Sequence, residues 1–559
     1  MLGRVAAVPD EASPITPADL DKPEQDNNNW EINVSDEVQA APSRRYANYV
    51  LAVLVLVYIF NFIDRNILSI LAEDIKADLQ INDAQMGFLY GTVFAVFYAV
   101  FGIPLARFAD VWNRRSLISA GLGFWSIMTA ASGLARSFGT LALCRIGVGI
   151  GEASASPAAY SMLSDYYPPR LRATVISIYA AGVYIGAGIG IFLGGYILEY
   201  WNTNYTELTA PFGLKGWQAA FMVVGIPGLV MAVWVRTLRE PIRGISEGLI
   251  TEKHPAPFRV LGKELTAILP PLNLLTIKNT PGALKANALG LVIIVVSAWL
   301  LIELTGSIAQ WVTTGFGVYV TFSWIQSLKV RDPATYAMMF QSKAFVYTLL
   351  GFPITAFVGY GAGFWVAPLL LRLHEVGAAE VGLYLGMGAA AGGFIGITAG
   401  GFLADYLKRL FPSGRIVLGY IVIGGSTPIL ILLLTTDSLV TAYWLNFLLT
   451  AFSACGGGVA PSTAADLVMP RMRATAGAYF ILINTFLGLA LGPYFIGQFS
   501  DMFYTGGMND ADALRWAIGV SMFTFIPALL FFFLAQKHLP AEEATRLQRA
   551  RSLGEKVDA

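Results

Sequence analysis

The chain has 559 residues, of which 55% are hydrophobic and 13% charged, and its formal net charge is zero. Soluble domains carry about 25% charged residues, so this chain has too little polar surface to cover itself in water and is expected to lie in a bilayer. The zero net charge does not favour nucleic-acid binding, and two cysteines and three dispersed histidines make a disulfide framework, a metal site or another bound cofactor unexpected. No G-x-x-x-x-G-K-[ST] loop indicates ATP as an energy source.

Residues 1–43 differ in composition from the rest of the chain. They are acidic, rich in Pro and Asn, and poor in aliphatic side chains, as in DEASPITPADLDKPEQDNNNWEINVSDE. Such a segment cannot bury enough apolar surface to fold, so we predict a disordered tail. Because it lacks the basic start and apolar run of a secretory signal, we expect it to stay in the cytoplasm.

Apolar runs long enough to cross about 30 Å of hydrocarbon recur along the remainder of the chain. Each is predicted to be a helix, because lipid offers the backbone no hydrogen-bond partners. The runs lie at about 46–71, 84–109, 116–134, 138–163, 170–198, 217–237, 286–304, 307–328, 345–371, 379–404, 415–435, 438–468, 474–498 and 513–535.

The loop charges predict the orientation of these helices. Arg44 and Arg45 precede the first run, and further basic residues follow the second, fourth and sixth runs, whereas the loops between are acidic or nearly neutral. Lys and Arg mark cytoplasmic loops, so we expect a multi-pass protein of the cell (inner) membrane with both termini in the cytoplasm.

A basic phrase occurs twice, each time ahead of a long apolar run. Pro-Arg-x-Arg-Ala-Thr begins at Pro169 and again at Pro470, 301 residues later. GIPLARFADVWNRRS and GGFLADYLKRLFPSGR form a second related pair, and both have a small-x-x-small-Asp pattern followed by basic residues. The chain is therefore predicted to be two related six-helix halves, an arrangement common in secondary transporters.

The runs at 286–304 and 307–328 lie outside this repeat. Both basic phrases should be cytoplasmic, so an even number of helices separates them, and these two runs must both span the membrane or neither does. Their apolar lengths favour spanning; a hairpin on the membrane surface is the alternative. The predicted domains are the tail 1–43, a bundle 44–240, a linker 241–344 with an inserted pair at about 286–328, a bundle 345–538, and a cytoplasmic tail 539–559.

Three motifs stand out beside the duplicated halves: NFIDRNIL at 61–68, FADVWNRR at 108–115 and RIGVGIGEASASPAAYSMLSDYYPPRLRATVISIY at 145–179. In these motifs the chain resembles the major facilitator superfamily, and within it the spinster branch, and the resemblance covers roughly 46–240 and 345–535. Val111 and Asn113 replace the Arg and Gly usual in the second of these motifs, and the inserted pair is absent from the usual twelve-helix plan. The resemblance implies an all-α membrane protein with the superfamily fold, which works by alternating access.

Charged residues inside the apolar runs are the candidates for the transport site, because an ionised group there costs at least about 2.5–3.5 kcal/mol. Asp64 and Arg145 each lie about seven residues from the predicted outer ends of the first and fourth helices, hence at similar depth. Glu152 follows Arg145 by nearly two turns and projects from the same face. In the superfamily plan these two helices line the central cavity.

From this arrangement we hypothesise proton coupling. Asp64 takes up a proton in a closed, dry cavity and releases it when Arg145 approaches, because a nearby cation favours the carboxylate. Arg145 binds an anionic substrate group while Asp64 is protonated. Glu152, the second proton-coupling candidate, tunes Arg145 or contacts a cationic part of the substrate. The alternative is a structural ion pair that keeps helices in register; Arg65 is equally open between the site and an outer cap or lipid head group.

Weaker candidates lie in the second half. Tyr360 and Trp365 belong to a helix rich in Gly and Pro, which is expected to bend during gating. Asn484 and Thr485 are polar residues in the penultimate helix. All four are carried as substrate-binding candidates, although aromatic side chains in such helices more often serve packing.

A cytoplasmic gate is predicted from the loops shared by the two halves. Their basic residues satisfy topology alone, but an Asp at the same helix end needs a partner. Asp110 and Asp405 are each expected to pair with Arg172 or Arg473 from the neighbouring joints, locking the outward-open state. The complete set is Asp110, Arg114, Arg115, Arg172, Asp405 and Arg473.

The predicted function is proton-coupled secondary transport by a monomer whose partners are protons, the bilayer and a small-molecule or lipid substrate. Spinster-type relatives move lipids with polar heads, such as sphingosine 1-phosphate or lysophospholipids, so the resemblance implies an amphipathic substrate. Small organic anions or drug-like compounds remain open. A channel or receptor on the same scaffold is the alternative class, and no clustered nucleophile and base indicates an enzyme.

Overall fold

The computed structural model describes residues 43–206, 208–247 and 254–555. Apart from Ser43, the predicted N-terminal tail lies outside the described residues, as do the last four residues of the predicted C-terminal tail. The described part of the chain contains fourteen long helices. They are α1 Arg44–Ile70, α2 Asp83–Val111, α3 Arg114–Ser132, α4 Phe138–Glu152 with its continuation Ala155–Tyr166, α5 Pro169–Asn204, α6 Gly216–Arg236, α7 Ala283–Thr305, α8 Ile308–Arg331, α9 Lys343–Leu373, α10 Ala378–Leu410, α11 Gly414–Thr435, α12 Leu439–Leu467, α13 Pro470–Thr505 and α14 Asp510–Ala544.

Every predicted apolar run is helical, and the described residues contain no strand, which confirms the all-α fold. Eleven of these helices are long and apolar enough to cross a membrane by length and composition. The other three are α3, α4 and α8. The helix of α4 is interrupted after Glu152, and α8 carries glutamine, serine and threonine side chains along its length.

The two halves of the bundle are in contact mainly at one end. We call this the Asp83 end, where α2 begins, and the opposite one the Arg114 end, where α3 begins. At the Asp83 end a side chain on Gly87 would overlap the backbone of α13, and Thr92 donates a hydrogen bond to the Ala490 carbonyl at 2.7 Å. Further toward the Arg114 end, Gly102 of α2 and Gly477 of α13 have open space beside them. The halves therefore diverge toward the Arg114 end.

The repeated basic phrase forms the same contact in each half. Arg172 donates from Nε to the Ser164 carbonyl at 3.2 Å, and Arg473 donates from Nε to the Ala465 carbonyl at 3.3 Å. Donors and acceptors are each offset by 301 positions, which is the offset of the phrase itself. The duplication seen in the sequence is thus a duplication of local structure.

The segment predicted as a C-terminal tail is largely helical. α14 continues to Ala544, and a further helix Arg546–Ser552 follows. Ala550 of this helix is fully buried, and Glu555 pairs with Arg471. Residues 539–555 therefore pack on the bundle as an extension of its last helix.

Candidate functional site

Four charged side chains are buried together in the first half. Asp64 and Arg65 on α1 have 1% and 8% of their surface exposed, and Arg145 and Glu152 on α4 have 0% and 1%. Buried charges at membrane depth are expensive, so they are retained only where they have partners or a function. The two acids and two bases balance in formal charge, which lowers the cost of keeping them in one place.

Arg65 pairs with Glu152. Its Nη2 donates to Glu152 Oε2 at 2.7 Å, and its guanidinium carbon lies 4.4 Å from the centre of the Phe94 ring and 4.6 Å from that of Phe62. The charge is thus paired on one side and covered by aromatic faces on the other. In this conformation Arg65 is part of the buried cluster, whereas the sequence also allowed a cap at the outer surface.

Asp64 and Arg145 lie side by side, but the structure does not join their charged groups. Arg145 Nη1 donates to the backbone carbonyl of Asp64 at 3.4 Å, and its Nε donates to the Leu89 carbonyl, also at 3.4 Å. The Asp64 carboxylate instead accepts from the Thr129 hydroxyl at 3.1 Å. The two residues therefore share depth and the interior of the bundle, as the hypothesis requires, without forming an ion pair in this state.

Some side-chain atoms of this cluster have no hydrogen-bond partner. Within the described residues Asp64 Oδ1, Glu152 Oε1 and Arg145 Nη2 are buried and have no partner. Buried polar atoms are normally satisfied by protein, water or ligand. One buried cluster thus contains carboxylate oxygens and a guanidinium nitrogen without partners, groups that can accept a proton and bind an anion.

The candidates in the second half are dispersed. Tyr360 is half-buried, and its ring lies against Gly488. Asn484 and Thr485 begin a π-helical segment, Asn484–Ala490, in which the helix is locally widened. Trp365 is fully buried at the Asp83 end, where its indole nitrogen donates to the Pro493 carbonyl at 2.8 Å, so it packs α9 against α13 in this state.

The basic residues after α2 bind within the first half. Arg114 is fully buried; it pairs with Asp165 on α4 and with Glu240 after α6, the latter at 2.8 Å. The backbone N–H of Arg115 donates to the same Glu240 carboxylate at 3.0 Å. These contacts tie three helices of one half together at the Arg114 end.

Among the described residues, neither Asp110 nor Asp405 pairs with Arg172 or Arg473, as the cytoplasmic gate would require. Asp110 lies 3.9 Å from Arg107, and Asp405 lies 3.8 Å from Arg415. Arg172 and Arg473 bind the backbone carbonyls described above. A lock for the outward-open state would be broken where the halves diverge at the Arg114 end, so the gate stays a prediction.

A lock at the Asp83 end was missed from the sequence. Arg372, at the end of α9, donates to Asp83 at 2.7 Å and to Glu73 at 2.8 Å. Asp83 also accepts from Ser500 at 2.6 Å, and Asp501 accepts the backbone N–H groups of Asp83 and Ala84 at 3.0 and 2.8 Å. These bonds join the two halves across sequence separations of 289 to 418 residues. The available signal was an arginine at the end of one predicted helix and acidic residues in the loop after the first.

This geometry is that of a transporter with two bundles and a buried charged centre. Residues 54–493 match the family description Major Facilitator Superfamily. The chain belongs to this superfamily, a family of transporters and not of enzymes, and it is a multi-pass membrane protein.

Relatives support the predicted likeness to spinster proteins. The chain is 26% identical over 462 residues to an MFS-type efflux pump of Mycolicibacterium smegmatis, covering 82% of this chain and 85% of the pump. It is 24% identical over 463 residues to protein spinster of Drosophila melanogaster, covering 81% of this chain and 62% of that protein. The crystal structure of a bacterial homolog to the human lysosomal transporter Spinster, inward-facing and occupied, matches with a TM-score of 0.68 and 27% identity, covering 90% and 99% of the two chains.

Proposed function

We propose that the protein is a proton-coupled secondary transporter that works by alternating access. The observation that carries this proposal is the buried cluster of Asp64, Arg65, Arg145 and Glu152, in which a carboxylate oxygen and a guanidinium nitrogen lack partners. A cluster needed only for structure is expected to satisfy its own charges. Buried hydrogen-bonding atoms that lack partners at membrane depth favour a site that binds and releases ligands.

In this scheme Asp64 is the proton carrier. Its free oxygen receives a proton from water that enters the open end, and the protonated side chain no longer competes for Arg145. Arg145 then binds the anionic group of the substrate through Nη2. Glu152 stays paired with Arg65, and its second oxygen is free for a cationic part of a zwitterionic substrate or for a second proton.

The state described here is assigned as inward-facing. Basic residues concentrate at the Arg114 end, and by the rule that places Lys and Arg in cytoplasmic loops this end, with both termini, faces the cytoplasm. The halves meet at the Asp83 end and diverge at the Arg114 end. The similarity to a spinster homolog captured inward-facing supports this assignment.

The proposed substrate is an amphipathic anion or zwitterion of the lysophospholipid or sphingosine 1-phosphate type. Aromatic side chains surround the charged cluster: Phe62, Phe94 and Tyr98 lie within 5.3 Å of the Arg65 guanidinium carbon. Charge beside aromatic faces fits a polar head attached to an apolar chain. Similarity to spinster proteins over most of the chain supports the same class.

Transport of Asp64→Asn tests the coupling role. In vesicles with an imposed pH gradient we expect the variant to lose gradient-driven accumulation of a fluorescent lysophospholipid, down to the level of protein-free vesicles. Folding should be kept, because the Thr129 hydroxyl can donate to an amide oxygen as it does to the carboxylate. Asp74→Asn, on the short helix Ala72–Leu79 outside the spans, is the matched control and should transport normally. Accumulation against a gradient by Asp64→Asn would remove Asp64 from the scheme.

Export of drug-like compounds is the second candidate, favoured by similarity to an MFS-type efflux pump over 82% of the chain. The same vesicles decide between the two. Competition of the lysophospholipid by small organic anions, with direct uptake of those anions, would favour the second candidate. Binding confined to molecules with an apolar chain would favour the first.

A further inference from the structure

The inserted helices α7 and α8 lie outside the repeat, and α8 follows the seam between the two halves. On the side of the first half, the Phe316 ring stacks on Phe97 of α2 with 6.0 Å between ring centres. One residue further along α8, a Cβ on Gly317 would overlap the Phe486 ring of α13 and lie 3.1 Å from Val96 of α2. α8 therefore covers the line where α2 and α13 face each other.

Polar contacts join α8 to the second half at the Asp83 end of the seam. Ser307, just before α8, lies within hydrogen-bond distance of Gln498 on α13, with 3.2 Å between the two oxygens. Tyr494 donates to the same Gln498 oxygen at 3.0 Å, and its ring meets Trp311 of α8 edge-on at 5.7 Å. Near the other end of the helix Trp324 stacks on Tyr479 at 6.2 Å.

The Arg114 end of α8 has an ionic anchor to the same half. Arg471, the first arginine of the second basic phrase, donates to both oxygens of Asp332 at 2.7 and 3.2 Å. These bonds lower the pKa of Asp332 to about 2, so the carboxylate stays ionised at neutral pH. Arg471 also binds Glu555 near the C-terminus. Arg170, the counterpart of Arg471 in the first phrase, is exposed.

Contacts with the first half are of a different kind. Across the described ranges, no side-chain hydrogen bond or ion pair joins residues 283–340 to residues 44–247; the contacts there are apolar, as between Phe316 and Phe97. Apolar contact is non-directional and persists when two surfaces shift in register. A hydrogen bond broken inside the membrane leaves polar groups unsatisfied, so polar contacts resist such a shift.

From this asymmetry we propose that α7 and α8 move with the second half as one body and slide along α2, keeping the α2–α13 seam closed to the bilayer throughout the cycle. The inference rests on the proposed alternating access. A lipid-like substrate that exchanges with the bilayer would then do so on the opposite side, where α5 faces α10.

Disulfide trapping tests the sliding directly and needs no substrate. In a chain carrying Cys144→Ser and Cys455→Ser, Phe316→Cys is combined in turn with cysteine at three positions one turn apart on α2: Val93, Phe97 and Phe101. Trp324→Cys is combined with cysteine at three positions on α13: Thr475, Tyr479 and Ile483. Cross-linking of each pair is measured in membranes under a mild oxidant.

We expect Phe316→Cys to cross-link with at least two of the three α2 positions at rates within about fivefold, and Trp324→Cys to cross-link with the facing position alone. The proposal would be overturned if cross-linking reached as many positions on α13 as on α2, or more. Low expression of one double-cysteine variant does not decide the result, because three independent cysteine pairs are measured for each of the two helices.

A functional cross-link gives the second measurement. A reversible thiol cross-linker between Phe97→Cys and Phe316→Cys should stop turnover until it is reduced, whereas one between Trp324→Cys and Tyr479→Cys should not. Inhibition by both links, or by neither, contradicts the proposal. If the cross-linking rates show sliding and no pH-driven transport is found, the transport function proposed above fails while the proposed motion stands.

Discussion

At the residue scale, the buried charges were predictable as a set but not as pairs. Glu152 is the seventh residue after Arg145, which places both on one face of α4, and that spacing is visible in the sequence. Consecutive residues on a helix point about 100° apart, so Asp64 turns to Thr129 while Arg65 turns to Glu152. Which acid faces which base depends on how α1 is rotated against α4, and that is set by packing.

The Arg65–Glu152 pair leads to a prediction about stability. Arg65→Met and Glu152→Gln should each destabilise the protein, by about 3–5 kcal/mol where a charge is left buried and unpaired. The double variant should lose less than the sum, because neither charge remains. Chemical unfolding of the four proteins in detergent measures this. Additive losses would mean that water or another residue already neutralises the charges.

At the element scale, helix positions followed from the sequence, and helix contacts did not. The apolar runs predicted every long helix because a backbone in lipid has no other way to satisfy its polar groups. Several helices continue past the predicted apolar run, most of all α14, which continues to Ala544 and whose Leu539 is buried against the bundle.

Two glycines of α10 test the contact between α5 and α10. A Cβ on Gly386 would overlap the Gly188 carbonyl of α5, whereas Gly401 of the same helix has open space. Gly386→Ala should therefore force the halves apart and cost about 1–3 kcal/mol. Gly401→Ala should be neutral or slightly stabilising. Thermal unfolding of both variants gives the comparison, and equal effects would show that this close approach is not part of the stable state.

At the scale of the whole molecule, the structure holds one end closed by an ionic lock between the halves. Arg372 is nearly buried and binds Asp83 and Glu73, while Ser500 and Asp501 complete the network from α13. Arg372 of the second half thus binds two acids of the first half, and Asp501 of the second half accepts backbone N–H groups of the first. Opening the Asp83 end requires all these bonds to break together.

Removing the cation of this lock should open the Asp83 end. Arg372→Ala removes the cation that bridges the halves and leaves Asp83 with Lys76 of its own half and with Ser500, so hydrogen exchange in residues 72–90 should accelerate by at least about tenfold, which corresponds to about 1.4 kcal/mol. Arg515→Ala is the control, because Arg515 lies at the same end but pairs within its own helix with Asp512 at 3.2 Å. Unchanged exchange in Arg372→Ala would show that apolar packing alone keeps this end closed.

The sequence by itself determined that the protein lies in a bilayer, the number and order of the long helices, the internal duplication and the superfamily. Each of these depends on local composition or on spacing along the chain. It also marked Asp64, Arg65, Arg145 and Glu152 as exceptional, since charge in an apolar run is costly wherever the helix packs. Tertiary structure alone decided the pairing of Arg65 with Glu152, the Arg372 lock and the half to which α8 is anchored. These depend on contacts between residues far apart in the chain, and a pattern along one helix carries no information about the rotation and register of its neighbours.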